Sequence, residues 1–523
     1  MTTVESFQAV AAVGAAAGIV GTFVPGLRGR SASARQAGAL AVTVAAWLLL
    51  LGSLVSRNDL STLANHLHGP ARLGAAALTV IAALAVSLLV VRIVLRRPVL
   101  WLVLLAVAMP IRVPVSFGGA RDGNLLVPLY WVVAIGLVAL VLGRARGRLD
   151  GQFDRSTPLD LPIGAFVAFS LISTAWSGDI EEATVKAVFF YIPFVLLYRV
   201  LVDWWSLADN PLRAVTVTTI GLAAVTAVIA LGQYATRTIW WNDTLKQGNV
   251  YNRFFRANGI FFDPNILGRF LMVALVAAVA CAWIVQRRRD LAVLGILAAV
   301  IAAGLVVTFS RSSALGLMVA LTMLALRAFG WRRTVLTGAA MLVLLGVPAV
   351  AINHNVRDKV TSVNRLAGSG EGRFRLVKGG VELWKTEPVV GVGLGAFSER
   401  YRESLTRREQ LRTRVVISHT APVTVLAELG AVGFGLLLVL LGAIGTVLWR
   451  SSRQGEPDGW AQWTVLAMIT GIFVHSLLYS ALLEDPYFWG LAAVGVAIGS
   501  CRVAEAPDTT RAIPAVAPLA ASQ

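Results

Sequence analysis

Apolar residues run along this chain in long blocks, and polar residues are confined mostly to the intervals between them. The blocks fall at 8–25, 37–56, 73–95, 99–117, 125–143, 159–176, 183–202, 214–234, 264–285, 291–309, 313–330, 334–352, 419–449, 463–482 and 487–502. Runs of about 18 residues are long enough to cross a bilayer core as helices. The pattern predicts an all-α polytopic membrane protein with about 14–15 transmembrane helices and one long helical loop outside the membrane. The first block does not read as a signal peptide, because no charged segment precedes it and no convincing cleavage site follows.

Composition agrees. Of 523 residues 57% are hydrophobic and 14% charged, with mean hydropathy +0.73, far outside the soluble range. Frequent Gly and Ala within the blocks fit close helix packing in lipid. Cys281 and Cys501 lie in or at the end of apolar blocks and read as small hydrophobes, not as a disulfide or a metal pair.

The net charge of +18 divides into two populations. Short loops carrying Arg28/Arg30/Arg35, Arg96/Arg97, Arg144/Arg146/Arg148, Arg287–Arg289, Arg332/Arg333 and Arg450/Arg453 fall on one side when helices alternate, which the positive-inside rule makes cytoplasmic. The long segment 353–418 then lies outside although it is rich in arginine, so its cations need another reason. The chain divides into N-terminal helices 1–235, helices 236–352 bearing candidate binding motifs, the extracytoplasmic loop 353–418, C-terminal helices 419–502 and a tail 503–523 that reads as disordered and cytoplasmic.

Two external segments stand apart. In 235–263, Trp240-Trp241 suits the membrane interface, and Asp263-Pro264 reads as the N-cap and first turn of the following helix. In 353–418, Phe374, Val377, Val381 and Trp384 recur at helical spacing, predicting an amphipathic helix over 372–386. Pro388 and Gly391-Val392-Gly393-Leu394-Gly395 break it, and a second helix is expected over 396–412. The glycine run lacks the preceding strand that a dinucleotide fingerprint requires, so it reads as a tight turn between two surface helices.

Candidate chemistry is concentrated in basic residues. Arg311, in Thr308-Phe309-Ser310-Arg311, sits where two apolar blocks meet with almost no loop between them. Arg269 lies four residues beyond Asn265, one helical turn deeper on the same face, where a charge should turn to the protein interior or a wet cavity. Arg92 and Arg199 read as snorkelling or topology residues near cytoplasmic helix ends. His419, closing the basic segment beside Ser418 and Thr420, is the histidine placed to meet a water-facing cavity among arginines. His66, His68, His354 and His475 read as structural.

The order of motifs carries a resemblance. Arg256-Ala257-Asn258-Gly259-Ile260-Phe261-Phe262-Asp263-Pro264-Asn265 comes first, then Ser310-Arg311, then Gly372-Arg373 with Trp384, Pro388 and the glycine run. His419 and Ala427-Glu428-Leu429-Gly430 follow. Together they resemble the O-antigen ligase and polymerase superfamily over about 253–435. The family often has Asn after the loop histidine, where this chain has Thr420, and its ligases commonly have fewer spans.

The resemblance implies a glycosyltransferase of the inner cell membrane. It would transfer a glycan from an undecaprenyl-diphosphate carrier to a hydroxyl of a lipid, protein or glycan acceptor at the outer face, as ligase or polymerase of a cell-surface polysaccharide. By the same resemblance Arg256 and Arg311 bind the diphosphate, Arg373, Asn265 and Arg269 add substrate contacts, and His419 is the general base. Membrane lipids are its surroundings; no cofactor, metal or nucleic acid is implied. Two alternatives stay open: a metal-dependent glycosyltransferase, whose carboxylates would be Asp179/Glu181/Glu182 or Glu484/Asp485, and a flippase or transporter of lipid-linked oligosaccharide.

Overall fold

The computed structural model describes residues 2–23, 32–55, 70–117, 121–146, 156–240, 242–251, 254–341, 371–407, 410, 420–453, 455 and 458–505. In the N-terminal half, α1 (Thr3–Phe23), α2 (Ala32–Ser53), α3 (Pro70–Arg96) and α4 (Val99–Ala108) lead to strands β1 (Val113–Phe117) and β2 (Arg121–Leu125). Then come α5 (Val127–Ala145), α6 (Asp160–Ile172), α7 (Ile180–Lys186), α8 (Ile192–Trp205) and α9 (Pro211–Thr236). The second half comprises α10 (Asp243–Tyr251), α11 (Pro264–Ile284), α12 (Arg288–Val307), α13 (Arg311–Met341), α14 (Glu371–Thr386) and α15 (Phe397–Glu403). It closes with α16 (Ala421–Ser451), α17 (Asp458–Ser476) and α18 (Pro486–Glu505).

This is a polytopic α-helical membrane protein. Among the described residues, eight helices are long and apolar enough to span a bilayer, and shorter apolar helices such as α4 and α6 pack among them. The run 334–352 continues α13 as far as Met341 and then leaves the described residues.

Two departures from the expected helices are local. The run 99–117 does not stay helical: Pro110 ends α4, and β1 pairs with β2 as an antiparallel hairpin, Val113 opposite Leu125. The helix expected over 396–412 is interrupted at Ser404: α15 ends at Glu403, and helical backbone resumes at Arg407, the Gln410 amide donating to the Thr406 carbonyl (2.9 Å). Helices α7 and α8 form one continuous span through a π turn at Ala187–Tyr191, next to Pro193, which has no amide hydrogen to donate.

Contacts sort the loops into two ends. At one end Arg327 donates to the Ser452 carbonyl (3.1 Å), and Trp283 packs on Phe329 and Trp460, gathering the segments beside Arg287–Arg289, Arg332/Arg333 and Arg450/Arg453. Arg199 is no snorkelling residue. It is buried and pairs with Asp203 and with Asp160 at 3.6 Å, while Thr157 links Asp160 to the Tyr198 hydroxyl. A buried charge is tolerable when opposite charges and hydrogen bonds surround it.

Candidate functional site

At the opposite end, helices α11, α13, α16 and α18 all begin. Their unpaired N-terminal amides and dipoles favour anions there, before any side chain is counted. The segment after α10 is tied to the α12–α13 turn by the Ala257 amide donating to the Val307 carbonyl (3.1 Å). The segment 477–485 is tied to the start of α16 by Thr420 Oγ1 donating to the Leu477 carbonyl (3.2 Å).

Arg256 joins two motifs that are far apart in sequence. Its Nε donates to the Thr308 carbonyl (3.0 Å) and its Nη2 to Asn265 Oδ1 (3.1 Å), while Asn249 clamps its backbone at both amide and carbonyl. Asn265 is placed by the Asp263 cap, whose carboxylate accepts from the Asn265 amide (2.6 Å), with Pro264 opening α11 as expected. Phe309 adopts a left-handed backbone (φ 48°), a strained state for an aromatic residue, and stacks on Phe254 at 5.1 Å. The sharp turn lets Ser310 Oγ accept from the Ser313 amide (3.3 Å) and sets Arg311 at the first position of α13, exposed. Burial lowers the Arg256 guanidinium from its ordinary range; nearby Asp263 opposes this and Arg311 adds to it. Among the described residues neither Arg256 nor Arg311 forms an ion pair.

Arg269 is different. It is buried, and its guanidinium meets Asp485 (2.7 Å) and the Ala481 carbonyl (3.0 Å), so its charge is answered within the protein. Asp485 also accepts from the Tyr487 amide (3.0 Å), capping α18 ahead of Pro486. Arg373 lies in the first turn of α14, and its side chain is outside the described set; His419 also lies outside the described residues.

The structure adds residues that the sequence reading passed over. Tyr479 is half-buried, packs edge-on against the His475 ring (5.6 Å), and lies within electrostatic reach of Asp263, Arg269, Arg112 and Glu484. Arg112, just past α4, feels Arg269, Asp485 and Tyr479. Lys186 reaches across the bundle to Glu428, 2.9 Å away and buried. The Asp485-Pro486 pair repeats the Asp263-Pro264 helix start, and that was the available signal for the 477–485 segment.

The glycine run does more than turn the chain. Gly393 donates to the Glu428 carbonyl (2.8 Å), Val392 to that of Ala427 (3.1 Å), and Ser177 Oγ to that of Leu394 (2.7 Å). It is buried between the start of α7 and a break in α16 at Gly430 (φ 64°). Side chains on Gly393 or Gly430 would run into the backbone of Ser177 or Val389, so glycine is required for this docking.

Among the described residues no group of three His, Cys, Asp or Glu side chains is placed to hold a metal ion. The carboxylates proposed for that role have other partners: Asp179 caps α7 by accepting from the Glu182 amide (2.9 Å), and Asp485 holds Arg269. Burial raises the Glu484 carboxyl above its usual range, against the pull of Lys186.

Fold and site together define a multi-pass membrane protein with an arginine-lined, anion-favouring end. Residues 296–438 match the family model described as O-antigen ligase, in support of the resemblance to the O-antigen ligase and polymerase superfamily. The match takes in Arg311, Arg373 and His419, whereas Arg256, Asn265 and Arg269 precede it. It supports a role in glycan transfer for cell-surface polysaccharide synthesis. No curated protein matches the chain.

Proposed function

We propose that this protein transfers a glycan from an undecaprenyl-diphosphate-linked donor to an acceptor hydroxyl at the outer face of the inner membrane. The observation that carries the reading is the junction of Arg256, Asn265 and the Thr308–Arg311 turn, with two cations free of ion pairs among the described residues. Guanidiniums gathered beside the N-termini of α11 and α13, where the helix dipoles add to their positive field, favour an incoming anion. A diphosphate fits, because Arg stays protonated and presents its donors bidentately.

In the proposed reaction the acceptor oxygen attacks the anomeric carbon of the donor sugar, and the bond from that carbon to the diphosphate oxygen breaks. The acceptor proton passes to His419, whose unperturbed pKa near 6.5 suits a general base. The bonding electrons leave with the carrier diphosphate, whose growing charge Arg256 and Arg311 offset. Arg373 and Asn265 contact the donor. Arg269, one turn deeper and paired with Asp485, acts by fixing the 477–485 segment beside the donor rather than by touching it. Orientation follows from the arginine-rich loops, which assign their end to the cytoplasm and the site to the outside.

The test is transfer from a carrier-linked donor by purified protein in nanodiscs, with and without EDTA. Turnover is expected in both. Turnover lost on chelation and restored by Mg²⁺ or Mn²⁺ would favour the metal-dependent class. Donor binding without turnover would favour the transporter.

A further inference from the structure

We infer that the anion-binding surface extends beyond the O-antigen-ligase-like segment, with Arg112 from the N-terminal half and Tyr479 from the 477–485 segment as its second wall. The inference rests on the reading of the site as one for a lipid-linked diphosphate. Neither residue lies within the matched stretch 296–438.

The geometry begins with packing. A side chain on Gly490 would meet Met109 at 3.0 Å, so the end of α4 lies against the start of α18. Arg112 follows three residues after Met109, beside the segment that ends at Asp485. That segment is fixed on several sides. Arg269 holds Asp485 and Ala481, Phe270 packs on Tyr487 with ring centres 5.6 Å apart, and Thr424 meets Ser480 at 3.4 Å. Tyr479 is therefore presented from a rigid mount.

Charge then separates Arg112 from Arg269. Arg269 owns the carboxylate of Asp485; Arg112 is half-buried and forms no ion pair among the described residues. Burial, and after it the repulsion of Arg269, lowers the Arg112 guanidinium, with Asp485 and Tyr479 opposing. A second arginine beside an already balanced pair leaves surplus positive charge in a poorly solvated place. An incoming anion relieves it. Burial keeps the Tyr479 phenol protonated, raised well above its ordinary range with Asp263 adding to the effect, so it serves as a hydrogen-bond donor.

Arg256 ties the two walls together, since it hydrogen-bonds Asn265 and Thr308 on one side and lies within electrostatic reach of Tyr479 on the other. A diphosphate has two charged groups to be held. Arg256 and Arg311 face one, and Arg112 and Tyr479 the other. A monophosphate would use the first pair alone.

The experiment measures binding of farnesyl diphosphate and farnesyl monophosphate to the full chain in detergent. Arg112→Gln and Tyr479→Phe are each expected to weaken diphosphate binding about tenfold, the scale of one lost hydrogen bond to a charged group, and to leave monophosphate binding nearly unchanged. Arg311→Gln is expected to weaken both ligands. Arg112→Lys keeps the charge and guards against misfolding of the glutamine variant; it too should lose diphosphate preference, because the fork is gone. Wild-type diphosphate affinity in Arg112→Gln, Arg112→Lys and Tyr479→Phe, with Arg311→Gln still weakened, overturns the second wall and leaves the parent site standing. Wild-type affinity in Arg311→Gln as well overturns the parent reading.

Discussion

The two ends of the helix bundle use the same side chain in opposite ways. At the end bearing Arg287–Arg289 and Arg450, Arg199 is buried with Asp203 and Asp160 beside it, and Thr157 and Tyr198 complete the hydrogen bonds. At the other end Arg256 and Arg311 stand close enough to repel each other, with no ion pair among the described residues. Folding alone explains the first arrangement, since removing two aspartates would strand a buried cation. It explains only part of the second: Arg256 staples Thr308 and Asn265 and has Asp263 nearby, but the exposed Arg311 beside it adds positive charge that no fold contact requires. Arg269 at that same end obeys the first rule through Asp485. The distinction therefore lies in the partner, not the location.

The sharpest way to break the comparison is to remove the chemistry that the unpaired arginines are held to serve. His419→Ala is expected to lower transfer about 10²–10⁴-fold, the usual worth of a positioned general base, while donor affinity stays close to wild type. Single-turnover transfer and donor binding measured on the same preparation separate the two effects. Near-normal turnover in the alanine variant would remove His419 from the base role.

A somewhat smaller effect contrasts a paired with an unpaired arginine. Arg269→Met leaves the Asp485 carboxylate buried without its cation and should cost about 3–5 kcal/mol in unfolding measurements. Adding Asp485→Leu should recover most of that, short of about 1 kcal/mol for the lost cap on α18. Arg311→Lys should behave in the opposite sense. Its stability should stay within about 0.5 kcal/mol, because the residue is exposed, while turnover falls about tenfold or more with the loss of the bidentate fork. If Arg311→Lys destabilises the fold as Arg269→Met does, the arginine is structural and the distinction collapses.

How much of this could be read in advance follows from how far apart the partners lie. Most of the apolar runs, the Asp263 cap and the meeting of two spans at Arg311 are local signals that the structure carries, the run 99–117 being the exception. The bonds of Arg256 to Thr308 and Asn265 join motifs that already stood in a family order. The pairs Lys186–Glu428 and Arg269–Asp485 cross more than 200 residues with no periodicity between them, so nothing in the sequence tied one partner to the other. Arg112 was hidden for another reason. It sits inside an apolar run that looked like one helix, and the break at Pro110 leaves it outside α4, within electrostatic reach of Arg269 and Tyr479. The buried glycine run was likewise legible as a turn but not as a dock, because its hydrogen-bond partners are the backbone of α16 and the Ser177 side chain.

The smallest expected effect guards the comparison against a trivial explanation. With a net charge of +18, any anionic lipid will be drawn to this protein, and a diffuse basic surface could mimic a site. Arg407 tests this, being exposed just past α15 in the arginine-rich segment 353–418. Its field at the donor must cross solvent, where screening sets in over about 8–10 Å at physiological salt. Arg407→Ala should therefore change transfer by less than about twofold, and raising the salt should erase even that difference. The Arg311→Lys deficit should persist at the same salt, because a contact made by a guanidinium fork at close range is not a screened, long-range attraction. Equal losses in the two variants, both vanishing with salt, would mean that the arginines act as a cloud of charge and hold no defined diphosphate.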